Sequence, residues 1–586
     1  MNVRPSELVL GIFDGTHDAS AALVQGGEIL AAASEERFVR RKSAGGWPRR
    51  AVAACLDAVG ARPADVDHLA FVGVANPNPC LRVVRPLQGV WHLESDFFFA
   101  EDHGPRSLIS SWLQFESPFP RLRSDGVTGR ALAPLLRHVL TRESGIHPRA
   151  GVLLADHHRA HAASARWTSG WDEALVITAD GVGDGLCLTA WAARGLRFER
   201  LGAMAYPHSY GLLYATITGF LGFQPFRHEG KVMGLAAWGD ATAVDVPFPF
   251  VGPTFDRRIT VRFGARRQAW LDPLRRHRRE DVCAWLQQGV VHDVCALVVG
   301  WVRRTGLRRV ALSGGLFANV HLNGALAASG DVEEVHVFPN MGDGGLSVGA
   351  ALCAVPAAVA PPRLDHAFLG PEPDEAACAR AAGALASQGF RVCRMDDPAP
   401  RVVEALLSGL LVACCHGRME FGPRALGHRT ILAPATDGAV TERLNRCLDR
   451  SEFMPFAPIL LAADADRWLD GLGPVRHAAT FMTVTARARP DLAARCPAGV
   501  HHDGTVRPQL VDPHRHPLLH TVLSGYRAAT ARRGLEVPAL INTSFNLHEE
   551  PIVATPDDAA ESFQLAGLDL LVLGPWCVER PDRGHA

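Results

Sequence analysis

Apolar positions in this chain fall in short runs separated by polar, glycine-bearing turns. Residues 8–13, LVLGIF, make a strand-length block, and DGTHD (14–18) reads as a turn. ASAALV resumes the block, QGG is a hairpin turn, and EILAAASEE supplies a third strand. GWPRRAVAACLDAVG has the character of a helix ended by Gly60, and VDHLAFVGV (66–74) is the next strand. Further along, AGVLLAD (150–156) runs into a histidine cluster and EALVITADGVGDG (173–185) into a Gly/Asp loop. RVALSGGLFANVHLN (309–323) and EVHVFPNMGDGGLSVGAAL (334–352) each read as strand, glycine turn, helix start. A strand meander followed by helices predicts the α/β class.

Two stretches break this pattern. Residues 75–127 are rich in aromatics, proline and serine without clear periodicity, and read as an insertion, a lid over an acceptor pocket. VPAAVAPPRL (355–364) is the best linker in the chain. The expected organisation is a first domain over 1–362, carrying the insertion, and a second α/β domain over 363–586. A chain of 586 residues is long enough for both. No short-period repeat of the solenoid kind is evident.

Composition narrows the partners. Hydrophobic residues are 47% and charged residues 21%, and 60 basic against 61 acidic residues give a net charge of -1. That balance leaves no global basic footprint for nucleic acid or an anionic membrane. The N-terminus does not read as a signal peptide. No run approaches the ~20 apolar residues of a membrane span. The 13 cysteines are scattered, with one vicinal pair, Cys414–Cys415, and no CxxC. A cytoplasmic protein with reduced thiols is expected.

The candidate chemistry starts at DHHRAHAASA (156–165). His157 and His161 are four apart, so on a helix they share a face about 5–6 Å apart at Cβ. Asp180 and Asp343 end strand elements, and strand ends in α/β domains converge on one crevice. Two imidazoles and two carboxylates suit a divalent cation, and Fe2+, Zn2+ and Mn2+ are all compatible. A solvated or capping helix start explains the same histidine spacing, so the residues alone leave both readings open. The pattern is not that of a zinc protease, since no glutamate follows the first histidine.

Three glycine turns follow strands: DGTHD, DGVGDG with Gly183, and SGG with Gly314 and Gly315. Such turns let backbone N–H groups approach phosphate, although most are only turns. None is a Walker A or GxGxxG sequence. In the second domain, GRMEFGPRALGHRTILA (417–433) carries Arg418, Arg424 and Arg429. RSEFMPFAP adds Arg450, HHDGTVRPQ adds Arg507, and INTSFN holds Asn542, Ser544 and Asn546. Arginines set among Gly, Phe and Pro favour a site for a multiply charged anion over surface salt bridges.

HDASAAL, DHHRAHAASA, GKVMGLA, GRMEFGPRALG, EFMPFAP, DGTVRPQ and NTSFN followed by EPIV occur in one order. Together they resemble the NodU/TobZ family of O-carbamoyltransferases over nearly the whole chain. The resemblance implies an actin/hexokinase-like first domain and a YrdC-like second domain. The second would make carbamoyl adenylate from carbamoyl phosphate and ATP with Mg2+. The first would then transfer the carbamoyl group to a hydroxyl of a small-molecule acceptor. It also implies that His157, His161, Asp180 and Asp343 hold iron or another divalent ion, and that His17 lies near the carbamoyl group. Lys231, Gly314, Gly315 and Asn319 fall in nucleotide motifs, and Arg424, Arg450, Arg507, Ser544 and Asn546 in the adenylate-forming site. Many relatives carry Lys or Asn before the arginine of EFMPFAP; here that residue is Asp449.

The implied substrates agree with the residue chemistry. Carbamoyl phosphate and ATP are polyanions, which arginines and Mg2+ would balance. The acceptor hydroxyl needs a base, for which His17 is the candidate. Trp91, Phe97, Phe98, Phe99, Trp112, Phe115 and Phe119 of the insertion suit a large, partly apolar acceptor such as a polyketide, macrolide or its sugar. Packing of the insertion itself explains those rings equally well. An aminoglycoside or other sugar is the alternative acceptor. A threonylcarbamoyl-type tRNA enzyme would call for a basic surface, an actin-like sugar or acetate kinase would leave the arginine motifs unexplained, and a nucleotide sensor would leave the His/Asp set unexplained.

Overall fold

The computed structural model describes residues 3–73, 138, 141–142, 145–146, 151–261, 268–355, 359–360, 362–450 and 456–581. The insertion at 75–127 and its aromatic residues lie outside the described residues. The chain divides into two compact units. Met1–Glu35 with Ser43–Leu364 form the first, and Glu36–Lys42 with Asp365–Ala586 the second. The short segment Glu36–Lys42 therefore departs from the expected division at 362. Within the second unit Arg37 donates to the Gly422 carbonyl at 2.7 Å, and Arg40 to those of Pro551 and Ile552 at 3.0 Å.

The first unit contains the same strand order twice. β1 (Leu8–Phe13), β2 (Ser20–Gln25) and β3 (Glu28–Ser34) form an antiparallel meander, and β4 (His68–Val72) and β5 (Gly151–Ala155) add parallel strands beside β1, giving the order β3-β2-β1-β4-β5. β6 (Glu173–Gly183), β7 (Leu186–Arg194) and β8 (Arg197–Ala205) form a second meander. Past a two-stranded ribbon of β9 (Phe250–Val251) and β10 (Arg258–Ile259), β11 (Arg309–Ser313) and β12 (Glu334–Val337) add parallel strands beside β6, giving β8-β7-β6-β11-β12. The local signals explain the turns. Gly26 and Gly27 both have positive φ, 59° and 89°, which the tight hairpin between β2 and β3 requires.

Helices cover these sheets. α1 (Arg49–Ala58) ends as expected near Gly60. α2 (His157–Ser169) follows β5 directly. Asp156 caps it by accepting from Arg159 N at 2.9 Å, and Gly170 ends it in the left-handed conformation. Its alanines let it sit buried on every side except at Arg159. α3 (Tyr210–Phe220), α4 (Glu229–Leu235), α5 (Arg279–Thr305), α6 (Val320–Ala328) and α7 (Leu346–Leu352) complete the unit. α5 is long and apolar enough to cross a membrane by length and composition, yet Leu286, Val290, Val294, Val298 and Trp301 along it are buried in the core.

The second unit is built on an eight-stranded mixed sheet ordered β13-β23-β22-β14-β15-β21-β16-β20. Its strands are β13 (Arg391–Arg394), β14 (Val412–Cys415), β15 (Arg429–Pro434), β16 (Ala457–Leu461), β20 (Gln509–Val511), β21 (Leu540–Ser544), β22 (Leu570–Leu573) and β23 (Trp576–Glu579). β17 (Leu469–Asp470), β18 (Ala486–Ala488) and β19 (Thr505–Val506) make a small side sheet. α8 (Glu375–Ser387), α9 (Ala399–Leu407), α10 (Ala439–Cys447), α11 (Pro517–Arg532) and α12 (Pro556–Leu565) pack around it. β14 and β22 are parallel, and β21 runs the same way because β15 is antiparallel to both β14 and β21. Every residue of β14 and β22 is buried, as a central strand pair demands. Both units are α/β, as the strand–helix pattern predicts.

Candidate active site

The first turn and a half of α2 presents His157 and His161 toward the irregular end of β6 and the turn after β12. Both imidazole Nε2 atoms stand 3.2 Å from one carboxylate oxygen of Asp180. The same two nitrogens lie 3.5 and 3.4 Å from Asp343 Oδ1. One ligand atom from each of the four side chains falls within 4.8 Å of the others. The helix spacing and the two strand ends thus meet at one point inside the first unit.

Neighbouring groups orient these side chains. The Ser313 hydroxyl donates to the Met341 carbonyl at 3.2 Å and stands 3.1 Å from His161 Nδ1. That pairing makes Nδ1 a donor to Ser313 and leaves Nε2 facing the carboxylates. His157 is fixed through its backbone N–H, which donates to Asp184 Oδ2 at 2.9 Å. Gly183 lies flat beneath the His157 ring: a Cβ there would come within 2.1 Å of it. His158 points away, buried, and shares a 2.7 Å hydrogen bond with the Thr178 hydroxyl. Burial first, and then the charges of His157 and His161, push it down to about 3. It is a neutral core histidine.

The electrostatics are those of a place that wants a cation. Burial opposes charge on His157, but Asp343 and Asp180 outweigh it and raise the imidazole to about 9. Burial would also raise Asp180, yet the hydrogen bonds from His157 and His161 take it well below the usual carboxylate range. Burial and the Asp180 charge push Asp343 up. Asp343 Oδ1 is buried and accepts no hydrogen bond. Two imidazoles and two carboxylates, one with an unsatisfied buried oxygen, fit a divalent cation.

His17 stands beside this cluster. Its Nδ1 donates to Asp18 Oδ2 at 3.0 Å, and its Nε2 lies 3.9 Å from Asp343 Oδ2. Burial works against its charge, but Asp18, Asp343 and Asp180 raise it to about 10. A cation held by Asp180 and Asp343 would offset two of those three charges and lower it. The ring itself is half exposed, at 49%.

The expected nucleotide residues separate into two groups. Gly314 and Gly315 bring the β11 turn against β6. Gly314 has φ +109°, and a Cβ on it would meet the Ala179 carbonyl at 2.2 Å; one on Gly315 would stand 2.9 Å from Asp180 Oδ1. Both glycines therefore serve the close approach that places Asp180. The Gly/Asp loop expected at 180–185 is instead the bulged end of β6, closed by a tight turn at Asp184 and Gly185, both with positive φ. Asn319 caps α6 by accepting from Leu322 N at 3.1 Å and exchanges two hydrogen bonds with Gln287. Lys231, one of only two lysines in the chain, is buried in α4.

In the second unit the arginine motifs gather at the C-terminal ends of the parallel strands. Arg418 and Arg424 follow β14, Ser544 ends β21 and Asn546 follows it, and Arg507 precedes β20. Glu420, 2% exposed, holds the Arg424 turn by accepting from the N–H groups of Leu426, His428 and Arg429 at 2.8, 2.8 and 3.1 Å. Gln509 and Asn542 tie this turn to β20 and β21, donating to the Leu426 and Ala425 carbonyls at 2.7 and 3.1 Å. Arg450 contacts Ser544 and Asn546 directly, donating to Asn546 Oδ1 at 2.8 Å and Ser544 Oγ at 3.1 Å. Arg418 donates to the Leu369 and Gly370 carbonyls and lines a cavity of about 570 Å³ with Phe368, His428 and Arg515. Arg429 is no anion ligand. It is fully buried and donates to the carbonyls of His416 and Gly417. Residues 451–455 of the RSEFMPFAP stretch lie outside the described residues.

Ser313, Asp18, Glu420 and Gln509 are the polar residues that motif reading did not single out. Ser313 and Asp18 adjoin quoted motif residues. Glu420 is a buried polar side chain within a turn, and Gln509 a buried one that opens β20.

The first unit thus carries a His/Asp cluster suited to a divalent cation and the second a set of arginine-bearing turns at one edge of its sheet, an arrangement compatible with group transfer. Comparison with known proteins makes it specific. Residues 124–246 and 258–352 match the family described as Carbamoyltransferase N-terminus, and residues 403–580 match Carbamoyltransferase C-terminus. The chain belongs to the carbamoyltransferase family and is a carbamoyl-transferring enzyme. It is 30% identical to an uncharacterised Synechocystis protein, covering 96% of this chain and 95% of that one. It is 30% identical to nodulation protein NolNO of Sinorhizobium fredii, covering 96% and 79%. The 3'-hydroxymethylcephem-O-carbamoyltransferase of Amycolatopsis lactamdurans is 27% identical, over 64% and 70%. Among solved structures, HypF of T. kodakarensis aligns at TM-score 0.36 and 14% identity, over 60% of this chain and 47% of that one.

Proposed function

We propose that this enzyme is an ATP-dependent O-carbamoyltransferase acting on a hydroxyl of a small-molecule natural product. The observation that carries the reading is the meeting of His157, His161, Asp180 and Asp343 beside His17. Relatives named for nodulation and for cephem carbamoylation support a small-molecule acceptor. A polyketide, macrolide or glycoside is the preferred acceptor class.

The second unit binds carbamoyl phosphate and ATP with Mg2+. With one water consumed, the carbamoyl group leaves its phosphate and forms a bond from its oxygen to the α-phosphorus of ATP. Phosphate and pyrophosphate depart, and carbamoyl adenylate remains. Arg424, Arg450 and Arg507 lie where guanidinium groups offset the charge of these anions, and Glu420, Gln509 and Asn542 keep their turns in place.

In the first unit the acceptor oxygen attacks the carbamoyl carbon, and the bond to AMP breaks. His17 takes the hydroxyl proton at Nε2, since Nδ1–H is committed to Asp18. Lys231 and the Gly314 turn belong to the nucleotide side of this site. The four His and Asp side chains would hold a divalent cation, iron or a similar ion, which when bound would supply Lewis-acid polarisation.

A His17→Ala variant tests the reading. Carbamoyl-phosphate-dependent pyrophosphate release should persist within about threefold, while carbamoylated product, read as a mass increment on a candidate alcohol, should fall by about 10²-fold or more. Product formation at the parental rate would defeat the assignment of His17. Pyrophosphate release that is indifferent to carbamoyl phosphate would defeat the adenylate route.

A further inference from the structure

β14, β22, β23 and β13 lie side by side at one edge of the second unit's sheet, and their registers set thiols in a row. Cys414 stands opposite Val572, Val572 opposite Cys577, and Cys577 opposite Cys393 on the edge strand β13. Residues opposite one another across a ladder share a face of the sheet, so the three sulfurs project to one side. Cys415, next along β14, projects to the other. The vicinal pair of the sequence is therefore split between faces.

The row contains one pair close enough to bond. Neighbouring strands are about 4.8 Å apart. With Val572 between them, Cys414 and Cys577 stand about 10 Å apart at Cα, beyond the ~7 Å that a disulfide spans. Cys393 and Cys577 are immediate neighbours. The Met395 N–H donates to the Pro575 carbonyl at 2.8 Å, two residues further along both strands. The alternation of an antiparallel ladder then makes Cys393 and Cys577 a hydrogen-bonded pair, with Cα atoms about 5.5 Å apart. Disulfides are commonest near that separation.

The two thiols differ in access. Among the described cysteines only Cys393 is exposed, whereas Cys577 is fully buried. β13 is exposed along its length apart from the half-buried Val392. Burial, then the nearby Cys393 and Glu579, pushes the Cys577 thiol up to about 12 against the pull of Arg401. Cys393 is thus the sulfur that a reagent meets first, and Cys577 the protonated thiol behind it.

We propose that Cys393 and Cys577 are a modification site, forming a reversible disulfide by exchange with a low-molecular-weight disulfide. The Cys393 thiolate attacks one sulfur of the reagent, whose S–S bond breaks to release one thiol. Cys577 then gives up its proton and its sulfur attacks that of Cys393, which releases the second thiol. Two protein thiols are oxidised and one reagent disulfide is reduced, so electrons and protons balance. The new bond ties the edge strand β13 to β23, and its exposed sulfur leaves it open to reduction by the same exchange in reverse. None of the groups assigned to carbamoyl transfer takes part, and either reading can fail alone.

The test uses the full chain, reduced, freed of reductant and kept folded. It is incubated with glutathione disulfide and quenched with an alkylating reagent, and its unreduced peptides are mapped by mass. The Cys393 and Cys577 peptides should appear joined, at least about tenfold above any other pair, and dithiothreitol should part them. Cys393→Ser should abolish the link. Because that position is exposed, the reduced variant should melt with the reduced parent, which circular dichroism checks. Cys577→Ala should stop at a glutathione adduct on Cys393. A parent that accumulates only that adduct would overturn the proposal, as would one that joins either residue chiefly to another cysteine or stays reduced.

Discussion

Gly183→Ala offers the sharpest probe of the His/Asp cluster, because the substituted residue contributes no ligand. An ideal Cβ at this position comes 2.1 Å from His157 Cδ2 and 2.5 Å from Nε2. Ordinary carbon contacts begin near ~3.5 Å, so ring or strand must move by more than about 1 Å. The strand cannot move easily, since Gly183 pairs with Leu186 across the tight turn. The ring is 3% exposed and is held by Asp180 and, through its own backbone, by Asp184. Overpacking of this kind costs roughly 1–3 kcal/mol. Expressed in ligand geometry, that is about a tenfold to hundredfold loss of cation affinity. Gly342→Ala is the control. It adjoins Asp343, a Cβ there meets nothing within 4 Å, and its φ of -77° suits alanine. Chelator-stripped protein would be titrated with Mn2+ or Zn2+ by calorimetry. Gly342→Ala should stay within about twofold of the parent. Parental affinity in Gly183→Ala, with the fold intact, would refute the placement of a cation against His157.

Other outcomes follow from the same geometry. His161→Ala, which removes a ligand atom within 4.8 Å of the other three, should lower cation affinity by about 10²-fold or more in the same titration. Glu420→Ala should destabilise the second unit by roughly 3–5 kcal/mol in urea denaturation, because three buried N–H groups lose a charged acceptor. His516 gives a pH dependence. Burial, then the charges of His428 and Arg515, lower it to about 4, so the folded state keeps it neutral while the unfolded chain takes a proton near pH 6.5. Stability should fall as pH drops through 6.5 toward 4, by roughly 2 kcal/mol between pH 7 and 5 from this group. His516→Gln should lose about that much less over the same interval, and an identical loss in both proteins would count against the assignment.

Much of the first unit was legible because its signals are local. Gly26, Gly27 and Gly60 mark turns through a positive φ that any fold would have to honour. The spacing of His157 and His161 fixes a shared helix face whatever surrounds it. The arrival of Asp180 and Asp343 at that face is a matter of topology, reached from the general behaviour of strand ends and from the family resemblance. The extent of β6 was misjudged because DGVGDG looks like one loop, whereas the Asp184–Gly185 pair alone makes the turn and the preceding glycine stays in the strand. The role of Arg429 was hidden because its partners are backbone carbonyls, which carry no sequence signature. The repeated strand order was equally hidden, since hydrogen-bonded neighbours so far apart in sequence leave no periodicity to read.

The allegiance of residues 36–42 has a practical side. Arg40 donates to two carbonyls and pairs with Glu550 and Asp558, all in the downstream unit. A gene cut at the Ala/Pro run would therefore yield a carboxy-terminal fragment missing a piece of itself. Dissecting this enzyme calls for grafting that heptapeptide back, or for supplying it in trans, before any activity is sought from the isolated half.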